Sequence, residues 1–159
     1  MRYYVNIGSN IGEKEDNISL AIDYIQQEFG KIEKSGLVES EPWGFDSTNS
    51  FINIGVKFEN SLNPLEVLKK LQEIEKRISD ASHRDAAGRY VDRIIDIDIM
   101  AVESYIINHP DLIIPHTHLA ERKFFLIPMK ELEPSWLHPV LKKTPQEMLE
   151  SLSMVSTNK

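Results

Sequence analysis

The chain has 159 residues, 41% hydrophobic and 27% charged, with a formal net charge of −7 and no cysteine. That length suits one domain with a proper core. The acidic balance, with a sequence pI of about 5.2, argues against a nucleic-acid binder, whose footprint is basic; the lack of cysteine excludes disulfides and thiolate metal sites.

The opening run Met-Arg-Tyr-Tyr-Val-Asn-Ile-Gly lacks the long apolar stretch of a signal peptide, and no apolar segment reaches bilayer length. A cytoplasmic protein without membrane contact is the expectation. Seven of the 18 basic residues lie between Lys69 and Arg93. Local positive potential is therefore available there despite the overall sign.

Tyr3, Val5 and Ile7 alternate with Tyr4 and Asn6, a period of two that predicts a first strand ending at Gly8-Ser9-Asn10. Ile18, Ala21, Ile22, Ile25 and Phe29 then form a helical stripe, with Gly30 placed to end it. A second strand is predicted from Lys31 to Glu39, followed by a turn-rich loop from Ser40 to Asn49. Ile52, Ile54, Val56 and Phe58 define one face of a third strand; Phe51, Asn53, Gly55 and Lys57 define the other. Asn63-Pro64-Leu65-Glu66 is a helix start, with Asn as N-cap and Pro in the first turn. Val67, Leu68, Leu71, Ile74 and Ile78 form the buried stripe of that helix. Ser79–Asp92 has no period and is predicted to be a mobile loop.

Arg93-Ile-Ile-Asp-Ile-Asp-Ile-Met100 follows. Ile95, Ile97 and Ile99 alternate with Asp96 and Asp98, which predicts a strand with isoleucines on one face and both carboxylates on the other. Two steps along a strand separate the carboxylates by about 6.5–7 Å. They repel unless a cation sits near them, and such oxygen ligands suit Mg²⁺ with waters and phosphates. Most Asp-x-Asp pairs on half-buried strands are simply the solvated face, so the motif alone leaves both readings open. Beyond Ser104 the sequence predicts an extended Leu112–Pro115 and helices over Ala120–Leu132 and Thr144–Leu152.

The order β-α-β, β-α-β predicts the ferredoxin-like βαββαβ arrangement, an α+β fold whose antiparallel sheet carries helices on one face, plus a C-terminal extension. No repeat or linker interrupts it, and residues 1–159 read as one domain. With both helices on one face, Phe51, Asn53, Asp96 and Asp98 all point to the other.

Glu75 falls within the apolar arc of its helix, so its carboxylate needs a partner. A Glu at the stripe's edge, snorkelling or meeting an arginine, and a reach toward the Asp96/Asp98 strand are both open. Gly8-Ser9-Asn10 at a strand–helix junction is a weak phosphate-site signal. His116-Thr117-His118 lacks a third ligand at zinc spacing. His116 and Arg122 both suit anionic oxygens. Arg84, Arg89 and Arg93 add positive charge for phosphoryl chemistry. Phe51 shares its strand face with Asn53, a placement that suits a planar heterocycle stacked on an aromatic and read at its edge.

Taken together, Ile7-Gly8-Ser9-Asn10, Pro42-x-Gly44, Phe51-Ile52-Asn53, Ile74-Glu75, Arg93-Ile94-Ile95-Asp96-Ile97-Asp98-Ile99, Ile114-Pro115-His116 and Arg122-Lys123-Phe124 resemble the 6-hydroxymethyl-7,8-dihydropterin pyrophosphokinase family of the folate pathway. The resemblance covers almost the whole chain. It implies transfer of a pyrophosphoryl group from ATP to the hydroxymethyl oxygen of a reduced pterin, with release of AMP. It further implies that Asp96 and Asp98 bind two Mg²⁺ ions and that Phe51 and Phe124 stack on the pterin. Asn53 and the backbone around Ser40 and Trp43 would read the pterin's edge. Gln72, Glu75, His116 and Arg122 would surround ATP, with Arg93 near the transferring phosphates.

Val91 and Asp92 depart from the family's small residues before the signature arginine, and Ser79-Asp80 stands where Gly-Arg is usual. Arg77, Arg84 and Arg89 remain alternatives for the family's loop arginines. A monomer is expected. Two rival classes are another Mg²⁺-dependent nucleotidyl or phosphoryl transferase, and a non-catalytic small-molecule module on the same fold.

Overall fold

The computed structural model describes residues 1–40, 50–80 and 94–157. The first two thirds of the chain run β1 (Arg2–Ser9), α1 (Lys14–Phe29), β2 (Ile32–Lys34), β3 (Val38–Ser40), β4 (Phe51–Glu59), α2 (Pro64–Asp80) and β5 (Asp96–Val102). β4 pairs with β2 and β3 on one side and β1 on the other, and β1 pairs with β5, all antiparallel.

The period-two pattern sets what each face does. Val5 and Ile7 of β1, Ile54 and Val56 of β4, and Ile97 and Ile99 of β5 are buried in one cluster with Ile18, Ala21 and Ile25 of α1 and Val67, Leu71 and Ile74 of α2. Each such side chain contributes roughly 1.5–3 kcal/mol when fully buried. The helix ends follow their sequence signals. Asn63 Oδ1 accepts the Glu66 N–H at 3.0 Å while Asn63 Nδ2 donates to Glu66 Oε1 at 2.8 Å, a reciprocal cap on α2. Gly30 ends α1 at φ 92°, with its N–H on Gln26 O at 2.9 Å.

The predicted Lys31–Glu39 strand is two short strands. Lys34 pairs with Val56 and Val38 with Asn53, so Ser35–Leu37 face Ile54 and Gly55 with one residue in excess. Ser35 Oγ accepts the Gly55 N–H at 2.8 Å, and Gly36 N–H reaches Glu131 Oε1 at 3.0 Å. A bulge of this kind gives no hydropathy signal.

The C-terminal extension forms a hairpin of β6 (Ile107–His109) and β7 (Leu112–Ile114), a short 3₁₀ turn (Leu119–Glu121), α3 (Lys123–Leu132) and α4 (Pro145–Thr157). It covers part of the second sheet face, which the alternation alone left open. A Cβ on Gly55 would stand 2.7 Å from Pro128 Cβ and 3.0 Å from Leu132 Cδ1, so the glycine lets α3 lie directly on β4. Tyr4, Met100, Ala101, Phe125, Leu126 and Met129 form the second cluster there. Val5 pairs with Ile99 and Tyr4 with Ala101, so β5 bulges at Met100 and sends two successive side chains into that cluster. Among the described residues, no helix is long and apolar enough to cross a membrane.

Candidate active site

The part of the second face that the described C-terminal elements leave clear is laid out by strand register. Gly8 pairs with Asn53 on one side and Asp96 on the other; Asn6 pairs with Gly55 and Asp98. These residues share one face in adjoining rows. A Cβ on Gly8 would meet Asn53 Oδ1 at 2.7 Å and Phe51 Cδ1 at 3.5 Å, so the glycine is what allows both side chains to lie over β1. Ser40 of β3 pairs with Phe51, which brings its backbone to the same corner.

Asp96 and Asp98 are half-buried on β5. Glu75 reaches this edge strand from α2, its Oε2 accepting the Ile97 N–H at 2.7 Å. Opposing charge comes from Arg122, whose protonated form is favoured by Asp98 and Asp96 but whose pKa is lowered overall because burial is the larger effect. The Arg122 guanidinium carbon also lies 5.6 Å from the Phe124 ring centre and 5.4 Å from that of Phe125. It therefore joins the carboxylates to the aromatic corner.

His116 completes this side. The Met100 bulge carbonyl accepts its backbone N–H at 2.9 Å, and its Nδ1 accepts the His118 N–H at 3.1 Å. Burial, then Arg122 and His118, push its pKa down to about 4. The ring is thus neutral at pH 7 and carries its proton on Nε2. That atom stands 3.9 Å from Asp98 Oδ1, beyond hydrogen-bond reach. Beside them opens a cleft of about 290 Å³, lined by the polar Asp98, Asp111, His116 and Thr117 and by apolar residues that include Leu68, Leu112 and Ile113. Aliphatic side chains interleaved with polar groups suit a flat base that also makes hydrogen bonds.

The family described as 7,8-dihydro-6-hydroxymethylpterin-pyrophosphokinase (HPPK) matches residues 4–134. The chain belongs to this family. It is 37% identical over 145 residues to the 2-amino-4-hydroxy-6-hydroxymethyldihydropteridine pyrophosphokinase of Aquifex aeolicus, covering 91% of this chain and 88% of that one. With the protein of the same name from Porphyromonas gingivalis it shares 35% over 138 residues, 86% of this chain and 92% of that one. The solved fold of an HPPK-DHPS in complex with substrates superposes with a TM-score of 0.75 at 14% identity, over 99% of this chain and 44% of that one. A Plasmodium falciparum HPPK-DHPS with pterin and p-hydrobenzoate gives 0.72 at 15% identity, over 99% of this chain and 45% of that one. Both show the same fold.

Against the HPPK pattern, Asp96, Asp98, His116, Arg122 and Phe124 come together, as do Phe51, Asn53 and the Ser40 backbone. Asn53 is only 2% exposed, so any edge it reads lies deep. Gln72 is exposed on α2, one turn before Glu75. Trp43 and Arg93 lie outside the described residues, as do Arg84, Arg89 and most of the predicted Ser79–Asp92 loop. Arg77 lies over the Tyr24 ring at 5.1 Å, between the two helices. The Gly8-Ser9-Asn10 run acts locally as a junction: Ser9 and Asn10 are buried, and Asn17 Nδ2 donates to Ser9 Oγ, Ile11 O and Ile94 O at 3.2–3.5 Å. Sequence reasoning missed Asn6 and the close packing at Gly8, because neither breaks the strand's alternation.

Proposed function

We infer that this chain transfers the pyrophosphoryl group of ATP to the hydroxymethyl oxygen of 6-hydroxymethyl-7,8-dihydropterin and releases AMP. Family membership over residues 4–134 is the observation that carries this. The arrangement of side chains supports the assignment of roles that follows.

Among the described residues, no group of three or more His, Cys, Asp or Glu side chains could enclose a metal ion. Two neighbouring carboxylates fit Mg²⁺ instead, since that ion keeps waters and takes its remaining ligands from phosphates. Asp96 and Asp98 would hold two such ions, and the ions would lower the pKa of the attacking alcohol and offset phosphate charge. Glu75 holds the backbone between the two aspartates. Arg122 and the neutral His116 Nε2–H would donate to phosphate oxygens, and the family resemblance assigns Arg93, the signature arginine, to the transferring phosphates. The base of ATP would lie in the cleft beside Leu68 and Ile113, and the family resemblance assigns Gln72 and Glu75 to the ATP subsite. The pterin lies between Phe51 and Phe124, its edge read by Asn53 and by backbone near Ser40 and Trp43. Catalysis on this reading is positioning and charge stabilisation, without a side-chain base.

A monomer, with residues 1–159 acting as one domain, is part of the same proposal. Use of ATP and a folate precursor supports a cytoplasmic location.

Titrating pterin fluorescence with and without a non-hydrolysable ATP analogue and Mg²⁺ tests the two-subsite layout. Simultaneous occupancy, with each ligand leaving or tightening the other's affinity, is expected. Mutual exclusion of the two ligands would contradict it.

A further inference from the structure

Asn6 is a polar side chain 2% exposed, in the middle of a strand whose neighbours Val5 and Ile7 are core residues. Burying an amide there is costly unless its hydrogen bonds are made. Its Nδ2 donates to the backbone carbonyl of Phe124 at 2.9 Å, joining residues 118 positions apart. The reason that carbonyl accepts a side chain lies four residues further along α3. In a regular helix Phe124 O would accept the N–H of residue 128. Residue 128 is a proline inside the helix. It has no N–H, and its ring pushes the carbonyl at i−4 out of line. Gly55, where a Cβ would clash with Pro128 Cβ at 2.7 Å, holds that proline hard against the sheet. The same register row places Asn6 beside Asp98.

We propose that Asn6 is a positioning residue for the pterin: by taking the carbonyl that Pro128 leaves in α3, it fixes the first turn of that helix and thereby the Phe124 ring beside the Arg122 guanidinium. This rests on the reading of Phe124 as one wall of the pterin slot. Asn6 touches no reacting atom. It acts through the backbone of the residue whose ring does the stacking, so its effect falls on pterin and spares ATP.

The chemistry supplies its own rescue. Pro128→Ala keeps the Cβ that packs on Gly55 and restores an N–H for Phe124 O. The test is therefore steady-state kinetics on Asn6→Ala, Pro128→Ala, the double variant and Phe124→Ala, with KM measured for both substrates. KM is independent of the folded fraction, so a loss of stability does not obscure it. Loss of one buried hydrogen bond predicts that Asn6→Ala raises the pterin KM by about tenfold and leaves the ATP KM within about twofold. The double variant returns the pterin KM to within about threefold of the starting protein. A pterin KM unmoved by Asn6→Ala, a parallel rise for both substrates, or no rescue in the double variant would overturn the proposal. If Phe124→Ala raises the pterin KM while Asn6→Ala does not, the aromatic wall stands and only the positioning role falls. If Phe124→Ala itself leaves the pterin KM unchanged, the wall falls and takes the positioning role with it.

Discussion

The Glu75 carboxylate accepts the Ile97 backbone N–H at 2.7 Å, so the helix packed on one sheet face grips the strand that presents Asp96 and Asp98 on the other. A hydrogen bond to an ionised carboxylate contributes about 1.5–3 kcal/mol. Glu75→Ala is expected to lower unfolding stability by roughly that amount and to reduce kcat. Glu75→Gln, whose amide oxygen still accepts, is expected to retain most of both. Denaturant melts and kcat on the two variants check this; equal losses for Ala and Gln would mean that the contact is not what matters.

Asp98 is site-facing, with about 31% of its side chain exposed, and it stands beside a second carboxylate. Its removal relieves repulsion from Asp96 and withdraws a charge that favours protonated Arg122, so the two effects on stability oppose each other. Asp98→Ala is expected to cut kcat by ~10²-fold or more while changing stability by no more than about 0.5 kcal/mol. Thermal melting without Mg²⁺, set beside turnover with it, separates the two effects. Turnover near that of the starting protein would remove the metal assignment.

The alternation from Ile95 to Ile99 was enough to place both aspartates on one face, because strand geometry permits no other outcome at that spacing. The caps at Asn63 and Gly30 were equally legible, since each is set by local backbone chemistry. Less visible were the bulges. Met100 and Ala101 are both apolar, so nothing in the pattern shows that they share a side, yet that bulge supplies the carbonyl that holds His116. The covering of the second face was also hidden. Phe125, Leu126 and Met129 announce an amphipathic helix, but what it lies on depends on Gly55, a residue whose importance is the side chain it lacks. Glu75 was recognisable as needing a partner; that the partner is a strand-edge N–H required the tertiary structure.

Gly8 tests the geometry of the pterin corner. Gly8→Ala puts a methyl 2.7 Å from Asn53 Oδ1 and 3.5 Å from Phe51. Overpacking of about 1–3 kcal/mol is expected to raise the pterin KM by about tenfold or more and the ATP KM by less than about threefold. A uniform rise in both would show that the clash distorts the sheet rather than the slot.

His138 gives a pH dependence away from the site. It is 8% exposed, and its Nδ1 accepts the N–H groups of Val140 at 3.2 Å and Leu141 at 3.1 Å. Burial lowers its pKa below the ordinary 6.5. The folded protein then binds this proton less readily than the unfolded chain, so the stability contribution is complete above about pH 6.5 and is lost as pH falls through the folded value. His138→Asn, which keeps an acceptor and cannot titrate, is expected to flatten the decline in melting temperature below that pH. An unchanged acid limb would assign the decline to other groups.

Pyrophosphoryl transfer is tested most directly by a product assay with ATP, Mg²⁺ and 6-hydroxymethyl-7,8-dihydropterin, resolving AMP, ADP and pyrophosphate. Pterin-dependent AMP without free pyrophosphate, matched mole for mole by a diphosphorylated pterin, is the predicted result. ADP or free pyrophosphate as the pterin-dependent product, or no pterin-dependent AMP from folded protein, would contradict it.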